Sequence, residues 1–428
     1  MKAFTMLILG ALFLQTQVSA QMKTDGLLQK ILESVGDSLF QQVLLQKNKY
    51  RVQIIYTRID RDSGNKPSFK NFHFNTGDSL YYYPASTVKL PLALLSLEKL
   101  NRMHTPGVDR FTAVQYDSSY PGQKTLYKDS TSATGLPSIA QFIRKAFLIS
   151  DNDAYNRMYE FVGQQEINRI LHEKGYSGIR IVRQFMPMDE EENRHTNRIR
   201  FLNADGKTIF TQAPAYNKDS FDFSRKAMLG KGYLNGKDSL VDEPMNFTRH
   251  NHIPLEDLQL LLQSVLFPFS VPEKQRFKLK PGDYAFLYRY LSQFPSETPY
   301  PKYDTGIFYD SYVKFFFRGQ RKPSVRIFNK AGWAYGCLTD VSYVVDFKNR
   351  IEFMLTATVY TNEDEILNDD KYEYETVGFP FLYLLGQTIY KYDLQRKRKF
   401  SPDLKAFRLN YEHRDPSDHR TSIQNVDN

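Results

Sequence analysis

A chain of 428 residues with 41% hydrophobic and 14% aromatic content can fill a large core, which excludes disorder along its whole length. Its formal net charge of +9 is spread along the chain and is not gathered into a recognisable nucleic-acid module. A single cysteine, Cys337, excludes an intramolecular disulfide, and its apolar, strand-like surroundings predict a small buried side chain.

Residues 1–20 have a basic start at Lys2, an apolar run from Phe4 to Leu14, and small residues at Val18 and Ala20. That layout predicts an export signal cleaved after Ala20, because the run is too short to cross a bilayer. The expected mature protein is periplasmic or secreted and carries no transmembrane segment. Residues 26–46 then carry apolar side chains at helical spacing, 50–60 alternate like a strand, and 68–75 supply a second strand across an SGNKP turn. From Ser86 the chain reads helical, with further helical patterns at 136–149, 153–162, 164–175 and 253–267. Strand patterns return only at 324–332, 339–347 and 351–360, and a helix over 377–392 closes the ordered part.

Strands at both ends with helices between predict an α+β fold. One antiparallel sheet is built from the N- and C-terminal segments, the terminal helices pack on it, and an all-helical subdomain is inserted over about 86–320. Residues 21–392 then form one domain. The remainder, 393–428, opens on the basic run Arg396 to Lys399 and reads as a polar, solvated and mobile tail.

Three short segments carry chemistry. In YYYPASTVKLPLALL, Ser86 and Lys89 stand one helical turn apart where an apolar helix begins. Serine is a weak nucleophile until a neighbouring base takes its proton, and i to i+3 spacing puts both side chains on one helix face. The first turn also presents backbone N–H groups without intrahelical partners, suited to a developing oxyanion. Pro91 cannot donate to the Thr87 carbonyl and disturbs the helix start. Ser63–Lys66 and Ser311–Lys314 share the spacing, but neither opens a long apolar helix. Ser150-Asp151-Asn152 lies between two helical patterns, where these residue types also serve as ordinary caps. Lys330-Ala331-Gly332 lies on a strand, where the lysine supplies charge and the glycine allows close backbone approach. Lys280-Pro281-Gly282 is similar in form, but its proline makes a poor strand.

In that order, the three segments resemble the motifs of penicillin-recognising serine enzymes, the class A β-lactamases and penicillin-binding proteins, over about residues 25–392. The resemblance implies a β-lactamase/transpeptidase-like fold and a serine hydrolase that works through an acyl-enzyme. Ser86 would be the acylated nucleophile, Lys89 its base or part of the proton path, and Ser150 the relay to the leaving nitrogen. Asn152, Lys330 and Gly332 would bind substrate, with Asp151 bracing the loop and the backbone N–H groups of Ser86 and Trp333 forming the oxyanion hole. The implied ligand is a small-molecule β-lactam or a peptidoglycan peptide, with no cofactor, metal ion or nucleic acid. A D,D-peptidase and a non-hydrolytic binder of cell-wall fragments are the alternatives within the fold.

Two departures stand out. The family's third motif has Thr or Ser where this chain has Ala331, which removes a hydroxyl that helps hold a substrate carboxylate. Class A enzymes also place a water-activating glutamate on a loop after the second motif. Glu190, Glu191 and Glu192 lie in about that region, but their surroundings do not match the family's loop. Two other readings carry less. GDSL occurs at Gly36–Leu39 and Gly77–Leu80, but a late Asp-x-x-His partner pair is missing. His250 and His252 could share a strand face as metal ligands but lack an evident third ligand, and read better as loop histidines before the helix at Pro254.

Overall fold

The structure is a computed structural model that describes residues 22–77, 80–319, 322–415 and 417–425. The expected export signal lies outside the described residues, as does part of the second GDSL copy. The central five-stranded sheet runs Val325–Ala334, Cys337–Asp346, Ile351–Tyr360, Gln53–Arg61, Pro67–Phe74, with every neighbouring pair antiparallel. Segments from both ends of the chain therefore share one sheet, with Gln53 opposite Thr358. Cys337–Asp346 and Ile351–Tyr360 are buried along their whole length because helices cover both faces.

On one face lie Gly26–Glu33, Ser38–Leu45 and Phe379–Gln395, joined by Leu28, Leu32, Leu385 and Ile389 and by Phe40 stacked on Phe381 at 4.9 Å. The helical pattern at 26–46 thus resolves into two helices, broken where Asp37 caps the second through Phe40 N at 2.9 Å. The helix Leu255–Leu266 covers the other face, and Leu258 and Leu262 share a core with Val341 and Met354.

The inserted region is helical around the cleft, through Lys89–Met103, Ile139–Leu148, Asn152–Val162, Gln164–Glu173 and Pro281–Ser292. It is not all-helical, however. Ala113–Asp117, Arg198–Leu202 and Thr208–Gln212 form a three-stranded sheet, and Gly232–Leu234 pairs with Leu240–Val241 and Ile366–Leu367. These strands span five residues at most, too short for alternation to separate them from loop. Lys280-Pro281-Gly282 opens a helix, with the proline at its first position.

The expectation of a solvated tail is overturned. Arg396 and Arg398 both pair with the buried Asp393, and Arg396 also reaches Asp60 at 2.5 Å. Only Lys397 and Lys399 of the basic run are exposed. Leu404 and Phe407 are buried, the Phe407 ring lying 4.8 Å from Tyr343 and 5.4 Å from Phe267. Farther on, Ile423 pairs in parallel with Tyr303, donating to Lys302 O at 2.7 Å and accepting from Asp304 N at 3.0 Å. The tail is polar in composition because it lies on the surface, yet it sends Leu404 and Phe407 into the core.

Candidate active site

Ser86 sits in a 3₁₀ turn, Ala85–Val88, that leads into the helix Lys89–Met103. The turn is tighter than an α-helix, and Pro91 contributes by withholding the N–H that would bond the Thr87 carbonyl. Ala85 has φ 44°, a left-handed conformation that costs a non-glycine residue roughly 1–3 kcal/mol.

The second segment caps a helix and also faces Lys89. Asp151 is the cap: its Oδ1 accepts from Ala154 N at 2.7 Å at the start of the helix Asn152–Val162. Its Oδ2 lies 3.3 Å from Lys145 Nζ, which also faces Asp129 at 3.5 Å. Ser150, held at φ 62°, and Asn152 turn the other way, towards Lys89.

Lys89 Nζ is the hub. It lies 2.6 Å from Ser86 Oγ, 2.5 Å from Ser150 O, 3.3 Å from Ser150 Oγ and 2.8 Å from Asn152 Oδ1. Lys330, on the edge strand Val325–Ala334, brings its Nζ to 3.0 Å from Ser150 Oγ and also donates to the Ala331 carbonyl. Ser150 Oγ thus sits between two lysines that are 0% and 1% exposed. Burial, and next the charge of Lys89, hold Lys330 well below the ordinary lysine range.

Gly332 fixes the distance between strand and nucleophile. A Cβ there would lie 2.5 Å from Ser86 N and 2.9 Å from Thr87 N, so only glycine lets the edge strand approach. Trp333 follows it, and Ser86, Ser150, Asn152 and Trp333 line one cleft of about 940 Å³. Ala331 is fully buried in the core on the terminal-helix side and is not among the cleft's lining residues.

The loop after the Gln164–Glu173 helix resolves the open question about a glutamate. Glu190 pairs with Arg249 at 2.7 Å, Glu191 faces His195 and Tyr216, and Glu192 accepts from Asp189 N at 2.7 Å. None of the three lines the cleft; among the described residues its lining carboxylates are Asp151 and Asp370. What the loop puts beside Lys89 is Phe185, its ring 5.2 Å from Nζ and its N–H donating to Asn156 Oδ1 at 2.8 Å.

Sequence reasoning did not reach Phe185, Arg183 or the cleft position of Asn425. His250, a metal-ligand candidate by its residue type, instead lines the cleft and accepts from Arg183 Nη1 at 2.9 Å. Among the described residues no group of three His, Cys, Asp or Glu side chains could hold a metal ion. Lys314, of the rival Ser311–Lys314 pair, is buried against Leu291 O, Ile327 O and Asn329 Oδ1. Cys337 is buried as expected, and burial pushes its thiol up to about 11.

A family model described as the beta-lactamase enzyme family matches residues 39–212, the stretch that carries Ser86, Lys89 and Ser150-Asp151-Asn152. No curated protein matches the chain. Among solved structures, a beta lactamase from Burkholderia vietnamiensis is 13% identical at a TM-score of 0.47, covering 84% of this chain and 97% of its own. One from Streptosporangium roseum is 13% identical at a TM-score of 0.46, covering 85% and 99%. Over residues 39–212, the segment that holds the first two motifs, the chain is similar to the beta-lactamase enzyme family.

Proposed function

We propose that the protein is an exported serine hydrolase that opens a β-lactam or a related cell-wall amide through an acyl-enzyme on Ser86. The observation that carries this reading is the contact of Lys89 Nζ with Ser86 Oγ at 2.6 Å, in a site where the same nitrogen also reaches Ser150 and Asn152. Ser86 Oγ attacks the amide carbonyl and gives its proton to Lys89 Nζ, which acts as the neutral amine. The carbonyl oxygen gains charge between the backbone N–H groups of Ser86 and Trp333. The C–N bond then breaks as Ser150 passes its proton to the leaving nitrogen and regains one from Lys89, 3.3 Å away. Lys330, beside Ser150, draws in the substrate carboxylate, and Asn152, whose Oδ1 faces Lys89, hydrogen-bonds the substrate's amide side chain through Nδ2.

The second half-reaction is slow in this reading. Water attack on the acyl-enzyme needs a base, and the group beside Lys89 is the apolar ring of Phe185, with no glutamate of the described residues lining the cleft. This favours a persistent acyl-enzyme, as in a penicillin-binding D,D-peptidase, over fast β-lactam turnover. Export rests on the pattern of residues 1–20. Stopped-flow mixing with a chromogenic cephalosporin tests the reading. It predicts a burst of about one equivalent per protein followed by slow steady turnover, and no burst with Ser86→Ala. Continuous fast turnover would contradict the slow second step, and no burst from the unaltered protein would contradict the acyl-enzyme.

A further inference from the structure

One wall of the cleft carries a cation that no carboxylate of the described residues balances. Arg183 lines the cleft on a segment pinned through its backbone: its N–H donates to Asn251 Oδ1 at 2.9 Å, and its carbonyl accepts from the Tyr155 hydroxyl at 2.8 Å and from Asn251 Nδ2 at 3.0 Å. The guanidinium is held as well. Nη1 donates to His250 Nε2 at 2.9 Å and Nη2 to the Met188 carbonyl at 3.2 Å. Arginine only donates, so His250 offers a lone pair at Nε2 and its imidazole is neutral. Burial and the Arg183 charge hold His250 down at about 4, in keeping with that state. Both partners of the guanidinium are therefore uncharged.

The surroundings leave that charge for a ligand. Of the two carboxylates lining the cleft, Asp151 is engaged by Lys145 at 3.3 Å, and Asp370 makes no ion pair with Arg183. Gln184, next in the chain and 4% exposed, also lines the cleft, and neither of its side-chain amide atoms has a hydrogen-bond partner. Tyr83 and Tyr335 close this corner edge to face at 5.0 Å, and Tyr83 lies 6.1 Å from the His250 ring. The corner is aromatic, positively charged and short of hydrogen-bond partners. Its loop is tied through Phe185 N to Asn156, on the helix that begins at Asn152.

We propose that Arg183, oriented by His250, binds a second carboxylate of the substrate, carried on the acyl side of the bond that Ser86 attacks. The fork geometry of a guanidinium suits a carboxylate. The cleft then selects amides with two anionic groups, one at Lys330 and one at Arg183, over amides with only the first. This assignment rests on the reading of Ser86 as the nucleophile, which fixes which side is the acyl side.

Benzylpenicillin and its α-carboxybenzyl counterpart differ by one carboxylate on the acyl side chain, and calorimetric titration of the Ser86→Ala protein with each compares them without acylation. Tighter binding of the dicarboxylate, by about tenfold or more, is expected from a charge-assisted contact. In Ser86→Ala/Arg183→Gln the ratio should fall to near one, and Arg183→Lys should restore part of it. Thermal melting reports whether these variants fold. Equal affinities in the Ser86→Ala protein, binding of neither penicillin, or a preference that survives a folded Arg183→Gln variant overturns the proposal. The nucleophile is tested apart from this, by adduct formation on the unaltered protein. A missing adduct beside an intact dicarboxylate preference would sink the acyl-enzyme and leave the anion site standing.

Discussion

At the floor of the cleft, side chains from three short segments meet around Lys89 and Ser150, each fixed by backbone geometry: a 3₁₀ turn, a capped helix start and a glycine-gated strand. The walls are assembled from remote pieces, including 183–187, Ile307 to Tyr312, Asn368 to Tyr374 and Asn425. The contrast shows what each part needs. Proton transfer restricts the floor to a few residue types at fixed spacing. A wall needs only shape and charge, and many sequences supply those.

The sharpest break between the two is in rate. Lys89→Ala should slow acylation by about 10²–10⁴-fold, the range for a positioned acid–base group. Phe185→Ala, one contact away, should leave acylation within about tenfold, because the ring makes no bond to the reacting atoms. Rapid-quench labelling with a β-lactam measures both, and similar losses would erase the distinction. The wall residue should instead govern the second step. Phe185→Glu sets a carboxylate beside the Lys89 ammonium, and deacylation should speed up by at least about tenfold. That gain is measured as the decay of the adduct after removal of excess ligand; an unchanged decay would mean that the loop does not control water attack.

The same division decides what could be read from the sequence. Ser86, Lys89, Ser150 and Lys330 were legible because their chemistry constrains type and spacing, and the structure brings them into contact. Ser150-Asp151-Asn152 admits both a capping and a site reading, and the two are compatible because Asp151 turns towards Lys145 while its neighbours turn towards Lys89. Phe185 gave no signal, since a phenylalanine in a loop satisfies any apolar position. The short strands at 113–117, 198–202 and 208–212 fell below the length at which alternation is informative. The tail misled for a physical reason: Arg396 looks solvated until Asp60, 336 positions away, is placed beside it.

Two smaller effects sharpen the comparison in stability. Phe407→Ala should cost about 3–5 kcal/mol in urea unfolding, as a buried aromatic does, where a solvated tail would cost nothing. Then comes the cleft histidine. His250 takes up a proton near pH 6.5 when unfolded and only near pH 4 when folded, chiefly through burial and then the Arg183 charge. Between those values the unfolded chain binds more protons, so stability falls as pH drops from 6.5 towards 4, by at most roughly 3 kcal/mol. His250→Gln should flatten that slope in pH-dependent melting, and an unaltered slope would place its origin elsewhere.

The central claim is that Ser86, with Lys89 against it, is acylated. Intact-mass analysis after brief exposure to benzylpenicillin, followed by peptide mapping, tests it most directly. The account predicts an adduct of one whole penicillin per chain, on the peptide containing Ser86, that persists after the ligand is removed and does not form on Ser86→Ala. An adduct on another residue, or its formation on Ser86→Ala as readily as on the unaltered protein, would contradict it.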